Sequence, residues 1–137
     1  RPHTAIVGPV EGGEQFRNID RHLVKQVNQV LVLRIDESLF FGNLRYLDNR
    51  INGLLASHPA MEHLVLVASG INHIDSSALQ SLLELNTRLD DKGIKMHFSD
   101  VKGPVLDRLH RINFADELTG TVYLSQHQAW QDLTQLY

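Results

Sequence analysis

The chain has 137 residues, 42% of them hydrophobic and 21% charged, the size and balance of one globular domain whose core needs no staples. Cysteine is absent, which excludes disulfides, thiolate metal sites and cysteine nucleophiles. The 13 basic residues are outnumbered by 16 acidic ones, giving a formal charge of -3 and none of the basic excess that nucleic-acid binding demands.

Taken in chain order, Ala5–Val7 is a short apolar run closed by Gly8-Pro9, and Glu11-Gly12-Gly13-Glu14 marks a turn, so a strand and a loop are predicted. Ile19–Val27 has room for a turn or two of helix. Val30–Ile35 is dense in branched apolar residues, the pattern of a strand covered on both faces, and the pattern returns at Leu64–Val67, Ile94–Phe98 and Thr121–Leu124. Leu44, Leu47, Ile51, Leu54 and Leu55, spaced by three and four, predict a first helix capped by Asn43 and stopped by His58-Pro59. Ala78, Leu82, Leu85 and Leu89 form the stripe of a second helix, capped by Asp75 or Ser76 and ended by Gly93 in the left-handed conformation. Pro104 opens a third helix at its first position, burying Val105, Leu109 and Ile112. Ser125 with Gln128 three residues on is a capping box for a fourth, whose apolar side is Ala129, Trp130, Leu133 and Leu136.

Strands alternating with helices require right-handed crossovers and parallel pairing. The first strand reaches the second without a convincing long helix, so it is expected to pair antiparallel. The expected fold is therefore α/β: a single domain over residues 1–137, with a mixed, mainly parallel β-sheet flanked by α-helices and Leu47, Ile51, Leu66, Leu82 and Leu85 in one core. The longest apolar runs, Val30–Leu33 and Leu64–Ala68, fall far short of the ~20 residues that cross a bilayer. The opening Arg1-Pro2-His3 lacks an initiator Met and a signal-peptide pattern, and a piece of a longer protein is expected.

Eight histidines invite a metal reading, but they are scattered, with no His-Glu-x-x-His and no pair four residues apart. Surface or capping roles are expected, and no metal. The nucleophile-elbow pattern Gly-x-Ser-x-Gly is missing, Gly12-Gly13 precedes no Lys-Ser/Thr pair, and Gly103-Pro104 reads as a helix start. Neither a catalytic residue nor a cofactor is expected, beyond weak binding of a nucleotide or anion. Asp36-Glu37 has no convergent partner and reads as a solvated loop, and Arg108 with Arg111 is too sparse for a polybasic membrane anchor.

Asn72-His73-Ile74-Asp75-Ser76-Ser77-Ala78 stands out, between a strand and an amphipathic helix. Ligands gather at the carboxyl ends of parallel strands, and free amides at a helix start favour anions. Asp75, Ser76 and Ser77 are thus the candidate site for an anion, a nucleotide or a phosphoryl group accepted on a hydroxyl, although Asp-Ser-Ser is equally what a helix start uses for capping. Phe40-Phe41 either closes the core or offers a contact surface to a membrane domain or other partner.

Ile74-Asp75-Ser76-Ser77-Ala78-Leu79, after an apolar strand and before a Gly-terminated helix, resembles the signature of the STAS domain of anti-sigma-factor antagonists and SulP anion transporters. Soluble antagonists usually carry Gly where this chain has Ala78, and Gly-x-Leu-Asp before the first helix where it has Ser38-Leu39-Phe40-Phe41-Gly42-Asn43; both departures favour the transporter branch. Arg1-Pro2-His3 with Ile6-Val7-Gly8, Phe16-Arg17-Asn18, Leu33–Phe41 and Val101-Lys102-Gly103-Pro104-Val105 with Asp107-Arg108-Leu109 resemble SulP tails too, so the likeness covers nearly the whole chain. The resemblance implies a non-catalytic regulatory and interaction domain of a secondary transporter of sulfate or a related anion, placed on the cytoplasmic face of the inner (cell) membrane. Its implied partners are the transporter's own membrane domain and a cytoplasmic protein, with a dimer formed through the parent transporter. The alternatives are a free-standing antagonist switched by phosphorylation of Ser76, and a small nucleotide-binding or hydrolysing module.

Overall fold

The computed structural model describes residues 4–9, 16–18, 26–39 and 41–137, with Phe41 described by its backbone. In chain order these form β1 (Thr4–Pro9), β2 (Phe16–Asn18), β3 (Val30–Ile35), α1 (Phe41–Ser57), β4 (His63–Val67), α2 (Ser76–Asp91), β5 (Lys95–Ser99), α3 (Gly103–Arg111), α4 (Phe114–Glu117), β6 (Val122–Tyr123) and α5 (Gln126–Thr134). They build one six-stranded sheet in the order β2-β1-β3-β4-β5-β6. β3, β4, β5 and β6 run parallel, while β1 lies antiparallel to both β2 and β3, the mixed sheet that the sequence predicts.

Period-two alternation divides the central strands between two cores of unequal size. Leu64, Leu66, Met96 and Phe98 face one way and join Leu47, Ile51, Leu82 and Leu85 in the larger core under α1, α2 and α3. Val65 and Val67 face the other way, where Ala129, Trp130 and Leu133 of α5 cover them. Every residue of β4 is buried, as the unbroken apolar run predicts. Helix α2 ends as expected: Gly93 has φ +76, and Ile94 donates its N–H to the Leu89 carbonyl at 2.9 Å, placing two buried apolar residues side by side.

Several expectations need correction. Helix α1 starts at Phe41, so Asn43 lies inside the first turn, where its Nδ2 donates to the Ser38 carbonyl at 2.9 Å. Gly103 rather than Pro104 opens α3. Ile112 is 44% exposed because α3 has already ended at Arg111, and the chain reverses at Asn113 (φ 55) to drive Phe114 inward instead. Phe114 is fully buried, edge-on to Phe98 at 5.6 Å. The last strand keeps two residues, since Leu124 turns outward before Ser125 caps α5, and Leu136 lies beyond the helix and is exposed. Ser125 Oγ accepts from the Gln128 N–H at 3.1 Å, but Gln128 returns its Oε1 to Leu124 N–H, one residue earlier than a capping box. The loop Glu11–Glu14 and the stretch 19–25 lie outside the described residues.

The histidines also divide. His58 is a capping residue, its Nδ1 3.0 Å from the Leu54 carbonyl, whereas His63 and His97 are buried on the α5 face of the sheet, 3.0 Å apart from Nδ1 to Nε2. Two buried histidines are not surface or capping groups; neighbouring parallel strands bring their rings together across 34 positions of sequence.

Candidate functional site

The segment that leads into α2 is held at the carboxyl ends of the parallel strands by backbone. Gly70 lies so close to β3 that an added Cβ would stand 2.8 Å from Asp36 Cα and Ile35 O, which only glycine permits. Ile74 makes a parallel bridge to Leu39: Leu39 N–H donates to the His73 carbonyl at 3.0 Å, and Asp75 N–H to the Leu39 carbonyl at 3.2 Å. The start of α2 is thereby laced to the residues just before α1.

Asp75 adopts the extended conformation of a cap, and its Oδ1 accepts the Ala78 N–H at 2.7 Å. Ala78 is wholly buried, so this amide has no route to water. Ser76 and Ser77 are exposed at the helix mouth, where first-turn amides have no partner within the helix. From α3, Arg108 Nη2 donates to Ser76 Oγ at 2.7 Å, and from the residue just before α3 Lys102 Nζ donates to Asn72 Oδ1 at 2.5 Å. Arg108 thus places a guanidinium on a hydroxyl at the positive end of α2, and Lys102 anchors Asn72 in the segment that leads into it.

The fold splits the sequence-predicted trio. Asp75 caps the helix, whereas Ser76 and Ser77 face solvent, Ser76 with the Arg108 guanidinium on its hydroxyl. Arg108 and Lys102 escaped the site reading because 32 and 30 positions separate them from Ser76 and Asn72, and their signal was one of placement: both follow the next parallel strand, whose end lies beside the first. Phe40 lies outside the described residues, and Phe41 is the first residue of α1. Donors of this kind suit an anion. No group of three or more His, Asp or Glu that could hold a metal occurs among the described residues.

Residues 22–129 match the family model of the STAS domain. The chain belongs to the STAS domain family. This STAS domain is 29% identical over 126 residues to sulfate transporter 1.3 of Arabidopsis thaliana, an alignment that takes in 85% of the chain and 19% of the transporter. The chain spans about a fifth of the length of the curated relatives it matches. Among solved structures, the inward-facing murine solute carrier 26 family member A9 anion transporter superposes with a TM-score of 0.83 at 14% identity, over 100% of this chain and 23% of that one. A putative anti-sigma factor antagonist from Thermotoga maritima superposes with a TM-score of 0.68 at 18% identity, over 80% of this chain and 92% of that one. At such identities the likeness is one of fold, and the fold is common to both branches. Among the described residues no helix is long and apolar enough to cross a membrane.

Proposed function

We propose that this STAS domain is the non-catalytic regulatory domain of a SulP-type anion transporter, standing on the cytoplasmic face of the membrane with the transporter's membrane domain as its first partner and sulfate or a related anion as the cargo. The observation that carries the reading is sequence likeness to sulfate transporters along most of this chain but only a fifth of theirs. As a regulatory domain it contributes a coupling free energy to the attached membrane domain, typically about 1 to 3 kcal/mol. The surface formed by Ser76, Ser77, Arg108 and Lys102 is the anion-responsive point of this domain, binding a nucleotide or phosphate weakly, and Asp75 is its structural base.

The test is transport by the full-length protein in proteoliposomes. Deleting this domain changes the sulfate uptake rate while leaving the order of anion preference intact; an unaltered rate, or an altered preference, refutes the reading. Titration of phosphate into the ¹⁵N-labelled domain moves the amides of Ser76 to Leu79 first and does so more weakly in Arg108→Ala; shifts elsewhere and none there would leave these residues as caps alone.

A second reading is supported by the exposed Ser76 hydroxyl beside Arg108: a free-standing antagonist in which a kinase phosphorylates Ser76 and the guanidinium receives the phosphate. The complete reading frame separates the two, since a multi-span apolar region in the same polypeptide excludes a free-standing antagonist.

A further inference from the structure

The buried histidine pair has a hydrogen-bond pattern that leaves no place for another proton. Thr121 N–H donates to His97 Nδ1 at 2.9 Å, so that nitrogen carries a lone pair and the ring proton sits on Nε2. Nε2 lies 3.0 Å from His63 Nδ1 and donates to it, which places the His63 proton on its own Nε2. Both rings are neutral. A proton added at His97 Nδ1 would face the Thr121 N–H, and one added at His63 Nδ1 would face the His97 N–H. Either way one hydrogen bond of the chain is lost and two donors are opposed. Gly120 holds this geometry, because a Cβ there would stand 2.5 Å from His97 Nδ1.

The pair also sits at the seam between the sheet and the smaller of the two cores formed by the described residues. The His97 ring lies 5.7 Å from that of Tyr123, whose hydroxyl donates to Asp132 of α5, and the His63 ring lies 6.3 Å from that of Tyr137 beyond the end of α5. The charged groups facing the pair are Glu62 and Lys95 from the strand starts and Asp132 from α5. Helix α5, nine residues long, holds this side of the sheet through Ala129, Trp130 and Leu133, whereas α1 and α2 cover the other with a larger core.

We infer that His63 and His97 form a proton-operated latch, in which uptake of one proton by the pair swings a ring out of register and releases α5 from the sheet while the opposite layer stays folded. Burial pushes the His97 imidazole down to about 4 and lowers that of His63 as well, so the latch is shut at neutral pH and opens on acidification. The inference is independent of the anion surface and of the transporter reading.

Trp130, the chain's single tryptophan, sits in α5 edge-on to Phe16 at 6.3 Å and reports the release directly. In the 137-residue chain, lowering the pH from 7.5 to 4 shifts Trp130 emission towards that of exposed tryptophan while far-UV helicity is largely kept. In the double variant His63→Gln, His97→Gln, whose amides can replace the hydrogen bonds without titrating, the midpoint falls by at least one pH unit. An unmoved midpoint, loss of emission and helicity together, or no transition down to pH 4 overturns the latch. Imidazole ¹⁵N shifts of the unmodified chain give a second reading that does not depend on the variant folding. Both rings are Nε2–H tautomers at pH 7.5 and the pair takes up a proton at the Trp130 midpoint; an Nδ1–H tautomer, or both rings still neutral after the transition, also overturns it.

Discussion

Replacing Asp75 by Ala removes the acceptor of the Ala78 N–H, a bond of 2.7 Å to an amide inside a wholly buried residue. Loss of a helix cap costs about 0.5 to 2 kcal/mol, and the upper half of that range applies because water cannot take over the acceptor role. Unfolding entropy of about 2.1 cal/mol/K per residue, over 137 residues, is about 0.3 kcal/mol per kelvin, so a loss of about 1.5 kcal/mol lowers Tm by about 5 °C. Asp75→Asn keeps an oxygen in place and should lose less than half as much. Ser76→Ala removes an exposed hydroxyl whose partner Arg108 has water available, and should stay within about 0.5 kcal/mol. Urea titrations at pH 7, read by circular dichroism, give all three. Equal losses for Asp75→Ala and Ser76→Ala, or no loss for either, would refute the division between a structural cap and an exposed anion surface.

Gly70→Ala should destabilise by about 1 to 3 kcal/mol, since its Cβ meets main-chain atoms of β3 that cannot rotate away; an unchanged denaturation midpoint would show that the loop is free to back off. Leu82→Ala, at a fully buried position in the larger core, should cost about 2 to 5 kcal/mol by the same measurement, and a loss under 1 kcal/mol would misplace this face of α2. The imidazole of His97 is lowered in the fold from an ordinary value near 6.5 to about 4, so the unfolded chain binds more protons between those values. Stability is therefore full above about pH 6.5 and falls as pH drops towards 4, by up to about 3 kcal/mol. A urea midpoint flat from pH 7 to 5 would contradict this.

Most of the architecture was legible in the sequence because local rules and tertiary packing agree there. Val30–Ile35 and Leu64–Val67 read as doubly covered strands and are; the leucine stripe of α2 and the turn at Gly93 needed nothing from outside the segment. What failed to show depends on partners distant in sequence. Phe16–Asn18 is a strand because β1 offers it an edge, and three residues carry no period of their own. Ile112 fits the helical spacing of Val105 and Leu109, yet the left-handed turn at Asn113 passes its place to Phe114. At the candidate site the helix start was visible in Asp75-Ser76-Ser77, but Arg108 and Lys102 are brought to it by parallel strand order, and His63 and His97 by the register of β4 and β5.

The bridge between Leu39 and Ile74 gives this domain a mechanical property. Two main-chain hydrogen bonds, of 3.0 and 3.2 Å, run between the last extended residues before α1 and the cap of α2, and Gly70 is pressed against the end of β3 below them. These links tie Leu39 to Ile74 and Asp75 through main chain, so a shift of Leu39 reaches the cap of α2 along hydrogen-bonded backbone rather than through side chains that can rotate away. A load applied at Leu39 and one applied at the cap of α2 therefore share a single backbone path.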